Sequence, residues 1–239
     1  KITVDFVGDG LMKVTIPISK LGNIKDINGR TLKSIVSNKG TLKANGGIVQ
    51  LSAADAQYLS RGTVNLGHSG RIYARNIGKK SGRIVIGGPN NQTINLAGNL
   101  DASSRYQMHA QNRNSVVEIS GGDIKLKGSI YAKNHKTKSV NIKARGNLEL
   151  NNKIIASGNK FGGEIMLNSE NSIVKSPSSY LDVSGGFKGG RIASSSKITN
   201  MSSGGLDASS VSGYGGVIDL VGSKIIVKEA SIKGQGKKH

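Results

Sequence analysis

The chain of 239 residues carries 34 Lys and Arg against 14 Asp and Glu, a formal net charge of +20, and holds 34 Gly but neither Cys nor Trp. Without cysteine, disulfides, thiolate catalysis and cysteine-based zinc sites are all excluded. Glycine is abundant yet shows no G-X-Y period, which excludes collagen, and no apolar run approaches the ~18 residues of a membrane span.

In chain order, residues 1–20 (KITVDFVGDGLMKVTIPISK) read as strands in a hairpin-like register. Asp9 lies in a glycine turn that lacks the lysine of a phosphate loop. The chain starts at Lys1 with no initiator Met and no signal-peptide pattern, so it reads as a piece of something longer. From Leu42 a different pattern takes over. A Leu or Ile, one variable residue and then a small residue recur at Leu42/Ala44, Ile72/Ala74, Leu100/Ala102, Ile130/Ala132, Ile154/Ala156, Leu181/Val183, Leu206/Ala208 and Ile232/Gly234. The successive spacings are 30, 28, 30, 24, 27, 25 and 26 residues.

A second alternating element follows each of the first seven: Val49/Leu51, Ile84/Ile86, Val117/Ile119, Val140/Ile142, Ile165/Leu167, Ile192/Ser194 and Ile218/Leu220, with Ser194 breaking the apolar pattern. A third, weaker one appears at Val64/Leu66, Ile94/Leu96, Ile124/Leu126, Leu148/Leu150 and Ile225/Val227. Each alternates apolar and polar residues, the period of a half-buried strand. An antiparallel sandwich also offers many short strands, but it does not require the same residue class at one place in every repeat. The reading is therefore an all-β, right-handed parallel β-helix, three short strands per coil. About seven coils between Leu42 and Ile232 imply roughly 34 Å of shaft at strand spacing. One stretch departs from the pattern: "LSAADAQYLSR" carries Ser52 and Asp55 in capping-box spacing, which predicts a short helical insertion near 52–60.

Chemistry is sparse. Asp101, Asp182 and Asp207 all occupy the variable, outward place of the first strand. Stacked carboxylates could hold Ca²⁺ or cleave polysaccharide; solvated turn residues are the plainer reading, because Lys43, Tyr73, Tyr131, Ile155 and Lys233 take that place elsewhere. His68, His109, His135 and His239 have no ligand spacing. Neither a metal nor a cofactor is expected, and no catalytic residue is assigned. The positive charge is the strongest signal. Lys133, His135, Lys136 and Lys138 share one turn, Lys79, Lys80 and Arg83 another, and Arg105 and Arg113 flank a third segment. Such a field suits heparin-like anionic glycans or nucleic acid. It also suits lysines that keep strand edges soluble. Scarce aromatics weigh against a base-stacking platform.

The segments "VSNKGTLKANGGIVQLSAADAQ" (36–57), "SGRIVIGG" with "INLAGNLDAS" (81–103) and "LDASSVSGYGGVIDLVG" (206–222) resemble the filamentous-haemagglutinin-like exoproteins of bacterial two-partner secretion. The likeness covers most of the chain. Asn-Pro-Asn motifs usual in that family's secretion domain are absent, and Pro17, Pro89 and Pro177 lie in none. The resemblance implies that residues 1–35 close a preceding secretion domain and that 36–239 are shaft coils. It further implies export by an outer-membrane two-partner secretion transporter, display at the bacterial cell surface or secretion, and a role in adhesion as a monomeric rod without enzyme activity. Some relatives carry a distant downstream toxin. The alternatives are a β-helical polysaccharide-degrading enzyme or a polyanion-binding module.

Overall fold

A computed structural model describes residues 28–30, 34, 36–53, 64–77, 80, 82–88, 93–105, 116–136 and 139–237, with backbone alone at Ile2–Thr3 and Leu11–Val14. Short strands wind into a parallel β-solenoid with three faces. The first face is an eight-stranded parallel sheet: Thr41–Lys43, Arg71–Tyr73, Asn99–Asp101, Ile130–Tyr131, Lys153–Ile155, Tyr180–Asp182, Gly205–Asp207 and Ser231–Lys233. Its register joins Leu42, Ile72, Leu100, Ile130, Ile154, Leu181, Leu206 and Ile232 into one ladder, the sequence repeat itself.

The second face comprises Ile48–Ser52, Arg83–Gly87, Val117–Gly121, Val140–Ala144 and Glu164–Ser169, and the third Val36–Asn38, Val64–Leu66, Ile94–Leu96, Ile124–Leu126, Asn147–Leu150 and Ser172–Lys175. Arg191–Asn200 and Val217–Ile226 run unbroken across both faces. They join the two faces into a single bent sheet. The alternation has a plain cause: successive strand side chains point to opposite sides. Inward residues such as Ile84, Ile86, Ile94, Leu96, Leu100 and Ile130 are fully buried, while alternate residues such as Val85, Asn95, Asn99 and Tyr131 meet solvent.

The third face departs from its apolar pattern in three described coils, the first at half-buried Asn38 in the place of Leu66. Lys175 occupies the place of Leu150, and Thr199 that of Ile173. Polar groups inside need partners. Lys175 Nζ donates to the Ser203 carbonyl and, at 3.1 Å, to that of Ser179. Thr199 Oγ1 lies 2.8 Å from Ser196 Oγ. On the second face Ser194 stands in register with Leu167 and Leu220, and its buried hydroxyl has no hydrogen-bond partner.

The amino-terminal hairpin pairs Ile2–Thr3 antiparallel with Leu11–Val14, and the latter adds a parallel rung to the second face beside Ile48–Leu51. This segment is thus continuous with the shaft's sheet. Ser52 ends a strand in register with Gly87. The rest of the expected helical insertion, 54–60, lies outside the described residues, among which no helix occurs.

Candidate binding surface

Three corners separate the faces, and they are unequal. Passage from the third face to the first takes two to four residues, as at 97–98 and 151–152. Passage from the first face to the second takes 74–82, 102–116, 132–139, 156–163, 183–190 and 208–216, together with the short 44–47. These segments carry ten Lys and Arg and no Asp or Glu. Every residue of the sequence-predicted basic set except Arg83 belongs to them. Among the described residues, topology therefore brings Lys80, Arg105, Lys133 and Lys136, far apart in sequence, to one edge.

The turn at 133–136 shows how the local sequence aims its cations. Asn134 adopts φ 63°, a left-handed conformation that asparagine tolerates. Its buried side chain donates to the Ser104 carbonyl at 2.9 Å and accepts from the Asn159 amide at 2.9 Å, tying three coils together. His135 is also buried, and its Nε2–H donates to the Ala102 carbonyl at 2.9 Å. Burial holds this imidazole below its usual pKa, and the backbone hydrogen bond opposes that only in part. With Asn134 and His135 turned in, Lys133 is exposed and Lys136 extends its ammonium over the Phe161 ring, 4.6 Å from the centroid. His135 therefore does not belong to the basic surface with which its sequence neighbours group it.

The other predicted residues divide. Lys80 and Arg105 are exposed on this corner. Arg83 starts a second-face strand and bonds Glu118 at 2.5 Å, so its charge is neutralised locally. Lys79, Arg113 and Lys138 lie outside the described residues. The acidic row has a structural use. Asp101, Asp182 and Asp207 each accept from the amide two residues on, at 3.0, 2.8 and 2.9 Å, closing the turn that leaves the first face. Asp101 also binds Arg75, and Asp207 accepts from the Tyr180 hydroxyl at 2.9 Å. Among the described residues no group of three His, Cys, Asp or Glu could hold a metal.

Sequence reasoning missed what lies further along the same corner. Phe161, Phe187 and Tyr214 form a column, ring centroids 6.2 Å apart and successive rings nearly perpendicular at 87° and 88°. Edge-to-face packing of this kind is the favoured aromatic geometry. The pairs Gly162–Gly163, Gly189–Gly190 and Gly215–Gly216 lie beside the column. A Cβ on Gly162, Gly189 or Gly215 would stand 1.8–1.9 Å from a backbone carbonyl of the following coil, so no side chain fits there.

This geometry defines a β-helical repeat protein with a basic, partly aromatic edge. No protein-family model matches the chain, and no curated protein and no solved structure matches it either.

Proposed function

We propose that the chain is a non-catalytic shaft segment of a secreted, surface-exposed adhesin of the haemagglutinin-like type, exported by a two-partner transporter, which attaches to polyanionic glycans through its first-to-second-face corner. One observation carries the reading: among the described residues the segments that build that edge hold seven cations, Arg75, Lys80, Arg105, Lys133, Lys136, Lys160 and Lys188, and no acid, with Arg75 paired to Asp101 of the adjoining strand by an ion pair. A one-signed stripe on a rigid support raises the local concentration of a polyanion and speeds its capture. The use of all three outward aspartates as turn caps supports a non-enzymatic shaft over a polysaccharide lyase or hydrolase. Heparin-column retention tests it. Replacing Lys133, Lys136 and Lys138 by Gln should lower the eluting salt more than replacing Lys127, Lys153 and Lys197, which stand on other parts of the shaft. Equal losses would reduce the effect to net charge and sink the edge as a contact surface.

A further inference from the structure

The aromatic column borders a groove of about 300 Å³ that spans several coils of the same corner. Its floor is the three glycine pairs, bare of side chains. Phe161 and Val217 supply apolar surface, Lys136 and Lys188 supply cations, and the ion-paired Glu164 and Arg191 also line it. Phe187 and Tyr214, 50% and 71% exposed, stand beside it.

We propose that this groove binds a linear uronic-acid polysaccharide, its sugar rings lying against the aromatic column and its carboxylates meeting Lys136 and Lys188. The inference rests on the shaft-and-edge reading and names a ligand for the part of that edge where the basic turn, through Lys136, meets the aromatic column. Three features choose the occupant. First, five of the six glycine amides are spent within the shaft: Gly162 donates to Lys188, Gly163 to Ala156, Gly189 to Tyr214, Gly190 to Val183 and Gly216 to Ala208. A peptide would find no strand edge to extend, whereas a pyranose offers C–H faces that match exposed rings. Second, Arg191 is already shared between Glu164 at 3.4 Å and Asp219 at 2.9 Å, so lysine ammoniums remain for the ligand's anions. Third, two lysines beside one lining ring, with Phe187 and Tyr214 in the adjoining depression that shares Gly215, is a low charge density. It fits a chain with one carboxylate per repeating unit better than a heavily sulfated one.

The test compares hyaluronan with poly-glutamate of matched length, by calorimetry at about 0.15 M salt. The wild-type chain should bind hyaluronan about tenfold more tightly than poly-glutamate, which has carboxylates but no ring faces. Phe187→Ala combined with Tyr214→Ala should erase that margin and leave poly-glutamate binding unchanged, while Phe187→Tyr should keep it. Both rings are largely exposed, so the variants should melt with the wild type. Equal wild-type affinity for the two probes, or equal loss of both in the aromatic variant, would overturn the glycan assignment. If hyaluronan fails while heparin retention still depends on Lys133, Lys136 and Lys138, this inference falls and the basic edge stands.

Discussion

Lys175 offers a test in which the sign of the effect changes with pH. Its side chain points into the shaft, 3% exposed, in the ladder place of Leu150. Burial pushes its pKa down from 10.5 to about 8. Below pH 8 the amine is charged in folded and unfolded chains alike, and the folded state bears the full cost of a poorly hydrated cation. Between pH 8 and 10.5 the unfolded chain still binds the proton and the folded one does not, so stability rises with pH through that window. The shift corresponds to an upper limit of about 3 kcal/mol; partial access of water to the corner screens it to about 1–2 kcal/mol. Lys175→Met removes this cost, restores an apolar contact and forfeits two hydrogen bonds to carbonyls, together about 1 kcal/mol. At pH 7 the variant should therefore be more stable by about 1 kcal/mol. By pH 10.5 the order should level or reverse, because the wild type then holds a neutral amine that still donates to Ser179 and Ser203. Urea unfolding of both proteins from pH 6 to 11 reads this, and titrations elsewhere cancel in the difference. Parallel pH profiles, or a less stable variant at pH 7, would refute the account.

Other expectations rest on the same interior. His135, buried neutral, should make the shaft lose stability as pH falls below about 6.5, since the unfolded chain then binds a proton the folded one resists; His135→Gln should flatten that slope in thermal melts. Ser194→Ala removes a buried hydroxyl that has no partner and should stabilise by about 1 kcal/mol, seen as a higher urea midpoint. Leu206→Asp would bury a carboxylate between Leu181 and Ile232 and should cost about 4–5 kcal/mol, measured by loss of the β-sheet dichroism signal on mild heating.

The first face was legible because its inward places are apolar in every coil, and the second because they are apolar in all but the Ser194 coil, so the repeat and the register coincide. The third face was not, at three coils, since Asn38 also breaks its apolar pair. Lys175 and Thr199 satisfy themselves with local oxygens, and a pattern search for apolar pairs passes over them. The basic turns were visible as clusters in the sequence. Their common edge was not, because only the winding brings 75, 105, 133, 160 and 188 to one corner. The aromatic column escaped for a finer reason. Phe161 and Tyr214 precede their second-face Ile by four residues, and Phe187 precedes Ile192 by five. Lys188, not Phe187, pairs with both Phe161 and Tyr214 along the backbone, yet the ring of Phe187 still reaches between its neighbours.

The mismatched interior places share one joint. Ser194 against Leu167, Thr199 against Ile173, and Lys175 all lie where the coil of Glu164–Asp182 meets the coil of Arg191–Asp207. Coil-to-coil hydrogen bonds run along the axis of a solenoid, and each joint contributes its own stability. A pull along that axis, as on a tether between two surfaces, therefore loads the joints in series and opens the weakest first. Here the yielding point is built in. The ladders on either side of it, with Leu, Ile or Val in most inward places, stay closed while this seam lengthens and takes up the strain.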